Sequence, residues 1–362
     1  MGMRSESLLF VVGARPNFIK IAPICREMGK RAGLDFEIVH TGQHYDKDMS
    51  DVFFQELEIP DPDYLLHIGS GSHGQQTAQM MIKLEELCLA NAYRAIIVIG
   101  DVNSTLAGAI VGSKLNIPVV HVEAGLRSYN RSMPEEINRV ATDHVSDLLF
   151  APTRTAMEIL EKEGLADRSH FSGDVMFDML KLGMEKAEKT SRILESLDLT
   201  PEHYYLSTLH RPYNVDDPAQ LASIMSGLGM LDHPVVLSAH PRLQKNLGQF
   251  DIPAYENVNI LGPLGYLDFI LLEKHAKKVI TDSGGVQKEA FFVQTPCVTL
   301  RSETEWTETV DTGANLLVTE RTSANIMEAA KRTMNPDYAL MPYGKGNASA
   351  IIVDTMLDKL WD

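Results

Sequence analysis

Residues 277–290 read KKVITDSGGVQKEA. A short apolar run ends at Asp282, passes through Ser283-Gly284-Gly285 and continues straight into a helical pattern. The run is Val/Ile-rich without polar alternation, the pattern of a strand buried on both faces, and such strands belong to parallel sheets covered by helices. The glycines let the backbone approach a phosphate, and the helix start offers free N–H groups and the positive end of the helix dipole. Ser283 adds a hydroxyl, and Glu289 lies one to two turns inside the helix, where a carboxylate can take ribose hydroxyls. A plainer alternative is an ordinary helix start, with serine as cap and glycine as turn. The segment is not a Walker loop and lacks GxGxxG spacing, so it does not point to NAD.

The same strand-then-helix pattern recurs on both sides. Strands are predicted at 8–14, 36–42, 95–101, 118–125 and 148–153 in the first half. In the second half they fall at 204–211, 234–241, 258–263, 277–285 and 296–302. Helices fit between them at Pro16–Lys30, Gln75–Ala90, Ser104–Leu115, Pro134–Ser146 and Gly285–Val293. The alternation pauses between Met176 and His203, a charged helical stretch. The fold class expected is therefore α/β, with two Rossmann-like doubly wound domains in tandem. We expect the first over 1–173, the second, nucleotide-binding, over 174–345, and a terminal helix over 346–362 packing back on the first.

The totals agree with this picture. A chain of 362 residues suits two domains of about 150–200 residues. Its net charge of −16 argues against nucleic acid or an anionic membrane as partner. Cys25, Cys88 and Cys297 are widely spaced, fitting neither a disulfide framework nor a zinc site; free thiols in a reducing cytoplasm are expected. No signal peptide or membrane-spanning run is evident, and no metal signature such as HExxH occurs.

In open α/β sheets ligands bind beyond the carboxyl ends of the strands. Here those ends carry polar residues: Arg15 after the first strand, Asp101 after the third, Glu123 at the fourth, His210-Arg211 and Asp282 in the second half. One ligand cleft between the domains is the expectation. Arg15 and Lys20 suit a diphosphate, or are simply solvated cations at a helix start. Asp101 and Glu123 each follow an apolar strand, where partial desolvation raises a carboxyl pKa toward the range useful for proton exchange. Glu135 and Arg139 lie in MPEEINR at a helix start, where an acid can be no more than a dipole partner. His210 is either a proton-transfer group or an ordinary strand-end histidine. His44, His73 and His240 are weaker candidates.

Together the motifs GARPNFIK, TGQHYD, GDVNSTLA, HVEAGLRS, MPEEINR, SGDVMFD, LHRPYNVD, TDSGGVQKEA, TEWTE and YGKGNAS run nearly end to end. In this ordered set the chain resembles the non-hydrolysing UDP-N-acetylglucosamine 2-epimerases, whose fold is GT-B. The resemblance implies interconversion of UDP-GlcNAc and UDP-ManNAc without a cofactor, through loss of the C2 proton and of UDP to give 2-acetamidoglucal. It implies Asp101, Glu123, Glu135 and His210 as catalytic residues. It implies Arg15, Lys20, Arg139, Ser283, Gly284, Gly285 and Glu289 as substrate- and UDP-binding residues, with Phe269 near the uracil. Gln43, Gln76 and His240 match a site that in some members holds a second UDP-GlcNAc as activator, though Gln75 stands where an arginine is common. A homodimer is implied too.

The chain departs from the family pattern in two places. It has TEWTE where many members have TERPE, so that Trp306 replaces an arginine, and its loop between Glu123 and Pro134 is short. Both resemble a branch containing 2-epimerases of UDP-2,3-diacetamido-2,3-dideoxy-glucuronate. A GT-B glycosyltransferase would need an acceptor site and one base rather than three clustered carboxylates. A hydrolysing epimerase commonly reads GDRxE where this chain has GDVNST. A non-catalytic sugar-nucleotide sensor would not need Asp101, Glu123 and His210 intact.

Overall fold

The computed structural model describes residues 7–31, 33–43 and 60–361, the side chain of Arg15 excepted. The chain divides into two compact units, Met1–Lys181 with Pro342–Asp362, and Leu182–Met341. The first division falls inside the helix Val175–Thr190, which follows Gly173.

The first unit is built on a seven-stranded sheet: β1 (Leu8–Val12), β2 (Phe36–His40), β3 (Tyr64–Leu65), β4 (Ala95–Ile99), β5 (Val119–Val122), β6 (Leu148–Ala151) and β7 (Ser169–Phe171). Its order is β3-β2-β1-β4-β5-β6-β7. The pairs are parallel, with Leu8 opposite both Phe36 and Ala95. All five residues of β1 and of β4 are buried, as their unbroken Val/Ile/Leu runs require. Burying each such side chain contributes about 1.5–3 kcal/mol. Val11, Val39, Ile96 and Val98 join Met80, Leu84 and Ala107 from the helices His73–Ala90 and Asn103–Leu115 in one core.

The second unit repeats the plan. Its strands are β8 (Tyr205–Leu209), β9 (Val235–Ala239), β10 (Val258–Leu261), β11 (Lys278–Thr281), β12 (Cys297–Thr299) and β13 (Asn315–Leu317), in the order β10-β9-β8-β11-β12-β13. Again the pairs are parallel; Lys278 lies opposite Tyr205 and Val279 opposite Cys297. One face packs Tyr205, Leu237 and Ile280 with helix residues Leu221, Ile224 and Ile326; the other packs Tyr204, Leu206 and Val279 with Leu272 and Ala290.

Strand order reverses between β1 and β4 in the first sheet and between β8 and β11 in the second. These are the switch points where doubly wound sheets bind ligands. Three short strands, β3, β7 and β13, were not predicted from sequence, and each is the outermost strand of its sheet.

The chain end returns to the first unit. The helix Ala348–Leu360 packs on the helix Arg15–Met28. Asp178 accepts from the backbone N–H groups of Ala348 (3.0 Å) and Ser349 (2.7 Å), capping that terminal helix. Among the described residues no helix is long and apolar enough to cross a membrane.

Candidate functional site

The first unit gathers charge at its switch point. At the exit of β1, Gly13 leaves no room for a side chain: an added Cβ would lie 1.8 Å from Ser104 Oγ. Pro16 presets the first helical turn, and Asn17 Oδ1 accepts from the N–H groups of Gly13 (3.3 Å) and Ala14 (3.0 Å). Asn17 Nδ2 donates to the carbonyl of Ile99 at 3.1 Å, tying the β1 exit to the end of β4. One turn further, Lys20 forms an ion pair with Glu123. Burial depresses the Lys20 pKa, but Glu123 first, then Asp101 and Asp174, outweigh it and hold it above the ordinary lysine value.

Glu123 itself is 9% exposed and sits at φ +71°. A left-handed backbone at a non-glycine residue costs about 1–3 kcal/mol and persists where surrounding contacts over-determine it, often at functional sites. Asp101, after β4, keeps about a third of its side chain exposed and pairs with Arg139. Arg139 also meets Glu136 at 3.2 Å. Glu135 is exposed in the first turn of the helix Pro134–Val145, whereas its neighbour Glu136 is buried, accepting from Ser128 N (2.8 Å) and Oγ (2.9 Å) and Tyr129 N (2.9 Å).

Sequence reasoning placed Asp101 and Glu123 together with Lys20 and Arg139, and the structure brings these four into two ion pairs at neighbouring strand exits. Each of the two carboxylates at the end of an apolar strand thus has a cation beside it. Arg15 begins a helix at this site, but its side chain lies outside the described residues, as does His44.

Gln43 and Gln76 meet the start of the helix Asn103–Leu115. Gln43 Oε1 accepts from Ser104 N at 3.1 Å and Ser104 Oγ at 2.8 Å; Gln76 Oε1 accepts from Asn103 Nδ2 at 2.8 Å. His73 lies 3.2 Å from Asn103 Nδ2. Asn138 links this group to the carboxylates, its Nδ2 donating to the Asp101 carbonyl at 2.9 Å and to Asn103 Oδ1 at 3.2 Å. His240 belongs to the second unit, where it caps the helix Pro241–Gln249 by accepting from Arg242 N at 3.3 Å.

In the second unit the β11 exit is organised by Asp282. Its buried carboxylate accepts from His210 N (3.0 Å), Arg211 N (3.0 Å) and Asn214 Nδ2 (2.9 Å), and it faces His210 Nδ1 at 3.1 Å. Burial pushes the Asp282 carboxyl up, but His210 and Asn214 outweigh it and hold it below the usual carboxylate value. His210 is thereby oriented while 43% of its side chain remains exposed.

Ser283 precedes the helix Gly284–Phe292 and makes no side-chain cap bond with it, so its hydroxyl is not used as the N-cap the plainer reading supposed. Gly285 is exposed, and an added Cβ would meet only Ser283 Oγ, at 3.9 Å; the helix start here is open. At Gly284 a Cβ would lie 2.5 Å from Glu305 Oε1, the far end of a half-exposed side chain that can move aside. Glu289 is half-buried on the same helix. Phe269, partly buried on the helix Tyr266–His275, packs against the core below β11. Trp306 carries Lys288 Nζ over its ring, 3.9 Å from the centroid.

Sequence reasoning missed Asn17, His121 and Asp143 behind these groups; it named Asp282 at its strand exit, and Asn138 at a helix start, without giving either its buried hydrogen-bonding role. The available signal was polar residues inside apolar runs, as in PVVHVEAG. Among the described residues no cluster of histidine, cysteine and acidic side chains could hold a metal.

Two switch points in one chain, one lined with ion-paired carboxylates and one with an open Ser-Gly-Gly helix start, define a GT-B protein with the means to act on a nucleotide-linked substrate. The family model described as UDP-N-acetylglucosamine 2-epimerase matches residues 26–357, and the chain belongs to that family. It is 46% identical over 354 residues to a UDP-N-acetylglucosamine 2-epimerase homolog of Methanococcus maripaludis, covering 96% of this chain and 99% of that one. It is 45% identical over 358 residues to the UDP-2,3-diacetamido-2,3-dideoxy-D-glucuronate 2-epimerase of Pseudomonas aeruginosa, covering 96% and 98%. Among solved structures it resembles the Methanocaldococcus jannaschii UDP-GlcNAc 2-epimerase in complex with UDP-GlcNAc and UDP. The TM-score is 0.81 at 40% identity, covering 97% of this chain and 99% of that one.

Proposed function

We propose that the chain is a non-hydrolysing 2-epimerase interconverting UDP-GlcNAc and UDP-ManNAc. The observation that carries this reading is the pair of ion-paired carboxylates, Asp101–Arg139 and Glu123–Lys20, at the exits of β4 and β5. The C2 hydrogen of the sugar is not α to a carbonyl, so its loss must be coupled to departure of the diphosphate from C1. One carboxylate takes the C2 proton as the C1–O bond breaks and its electrons leave with UDP. The product of that step is 2-acetamidoglucal. UDP then re-adds at C1, and a second acid delivers a proton to the opposite face of C2.

In this reading Asp101 and Glu123 exchange the proton, with Glu135 and His210 as the family's further acid–base groups. Lys20 and Arg139 steer anions and balance the carboxylates. Ser283, Gly285 and the open helix start hold the diphosphate, Glu289 the ribose and Phe269 the base. Arg15 completes the diphosphate set. Gln43, Gln76 and His240 are assigned to the activator site.

A second substrate has a specific observation in its favour. Trp306, which stands where many members have an arginine, is held over Lys288 here, and the chain is 45% identical to a UDP-2,3-diacetamido-2,3-dideoxy-D-glucuronate 2-epimerase. This supports UDP-2,3-diacetamido-2,3-dideoxy-glucuronate as the alternative. Incubating the purified chain with each sugar nucleotide and following the C1 and C2 protons by NMR decides between them. Appearance of the manno epimer from UDP-GlcNAc supports the first; turnover of the uronate alone supports the second; free sugar plus UDP from either contradicts both.

We further propose a homodimer working in the cytoplasm. Ile82 and Leu89 are exposed seven residues apart on one helix face, which suits a second copy. The three cysteines are buried and free, which suits a reducing compartment. Light scattering of the purified chain tests the dimer.

A further inference from the structure

Beneath the strand exits that carry the two carboxylates lies a fully buried pair. His121, in the middle of β5, and Asp143, inside the helix Pro134–Val145, are both 0% exposed. His121 Nδ1 lies 2.6 Å from Asp143 Oδ1, and His121 Nε2 lies 2.9 Å from the carbonyl oxygen of Gly100. A carboxylate and a carbonyl only accept, so both ring nitrogens face acceptors and both carry hydrogen. The other oxygen of Asp143 accepts from Gly125 N at 3.1 Å and faces Arg127 Nη1 at 2.7 Å. Arg127 in turn holds Glu163 with two bonds, at 2.9 and 2.6 Å. The buried charges are thus balanced. Burial raises the Asp143 carboxyl, but His121 and Arg127 outweigh it and keep it below its ordinary value.

The backbone atoms held by this pair decide its role. Gly100 immediately precedes Asp101, and Gly125 follows two residues after Glu123. Both glycines are in the left-handed region, at φ +72° and +80°, a conformation that glycine adopts without steric cost. One buried ion pair therefore pins the two strand exits that present the two carboxylates, one through each end.

We propose that His121 and Asp143 are positioning residues. They hold the Asp101 and Glu123 exits in register, so that both carboxylates meet one carbon of the substrate. This rests on the 2-epimerase reading for its kinetic consequence but not for its structural one. Misplacing reacting groups by about 1 Å costs about 100-fold in rate.

The test compares Asp143→Ala with Asp143→Asn. Alanine releases both the imidazole and the Gly125 N–H. Asparagine can replace both bonds: its oxygen accepts from Gly125 N–H, and its amide donates to Nδ1 of a singly protonated ring that keeps its Nε2–H on Gly100. With UDP-GlcNAc, or with whichever sugar nucleotide the wild type turns over, Asp143→Ala is expected to lower kcat about 10- to 100-fold with KM within about threefold, and Asp143→Asn to recover most of that loss. Amide hydrogen exchange over residues 100–102 and 124–126, read in the full chain, is expected to speed up in Asp143→Ala and to match wild type in Asp143→Asn.

Equal kcat losses in the two variants, or unchanged exchange in Asp143→Ala, overturn the proposal. A wild type that turns over neither sugar nucleotide removes the epimerase reading, and the exchange data still decide the positioning role. If Asp143→Ala does not fold, His121→Gln against His121→Leu gives the same contrast. Glutamine keeps a donor toward Gly100 and leucine does not, and equal behaviour of the two overturns the proposal.

Discussion

Each sheet ends a central strand in an aspartate: AIIVIGD closes β4 and KKVITD closes β11. The two local sequences are nearly interchangeable, yet the side chains have opposite fates. Asp101 keeps about a third of its side chain exposed and has one cation, Arg139, beside it. Asp282 is fully buried and accepts hydrogen bonds from the 210–214 turn on three sides. The first remains accessible, and it is the residue we propose for proton exchange; the second fixes the loop that carries His210. The same signal, an acid after an apolar strand, gives an accessible, ion-paired side chain in one unit and a buried architectural one in the other. What separates them is the partner that the rest of the fold brings up, a guanidinium in one case and a row of backbone donors in the other.

Exchanging the amide for the acid at each position is the sharpest way to break this comparison. Asp101→Asn and Glu123→Gln should each lower turnover about 10²- to 10⁴-fold, with UDP affinity nearly unchanged. Asp282→Asn should instead cost about 3 kcal/mol of stability, because its NH2 replaces one acceptor oxygen and faces buried donors left unpaired. Calorimetry alongside turnover separates the two, and a stability loss confined to Asp101→Asn would invert the account.

Acid sharpens the comparison at the level of the units. His40 in β2 is buried, its Nδ1 accepting from Gly42 N at 2.7 Å, and burial lowers its pKa to about 4. Its folded value lies below the unfolded value, so the stability it contributes is present above pH 6.5 and is lost as pH falls toward 4, by about 3 kcal/mol in all. Glu273 in the second unit runs the other way. It is fully buried, its carboxyl oxygens have no hydrogen-bond partner among the described residues, and burial pushes its pKa well above 4.5. Its contribution is present below pH 4.5 and is lost as pH rises. Between pH 6.5 and 4.5 the first unit should therefore weaken while the second strengthens. Hydrogen exchange across that window reads both units in one experiment; His40→Phe should flatten the first trend and Glu273→Gln the second.

The smallest expected effect is at the helix start. Ser283→Ala should weaken UDP binding by about 2 kcal/mol, the worth of one hydrogen bond to an anion, without touching stability. Titration calorimetry checks it, and unchanged affinity removes Ser283 from the phosphate site.

The fold was legible because its central strands are unbroken Val/Ile/Leu runs, and only a parallel sheet with both faces covered buries such runs. The edge strands β3, β7 and β13 were not, since two or three residues at a sheet margin carry no period to read. At the site, Asp101 and Glu123 announced themselves as carboxylates after apolar strands, whereas Lys20 and Arg139 read locally only as cations near helix starts. His121 and Asp143 did not. Their pairing crosses from a strand to a helix, and each alone looks like a polar residue inside an apolar pattern. Glu136 shows the same limit from the other side: in MPEEINR nothing local tells which of two adjacent glutamates turns inward.

The central claim is that the first unit's carboxylates exchange the C2 proton of a UDP-sugar. Proton NMR of the wild-type chain with UDP-GlcNAc in D2O tests it most directly, repeated with the diacetamido-glucuronate nucleotide. The account predicts that the epimer appears with deuterium at C2, and that Asp101→Asn and Glu123→Gln suppress both the epimer and the label. Epimer that keeps the substrate's own hydrogen at C2, or no exchange with either nucleotide, would contradict it.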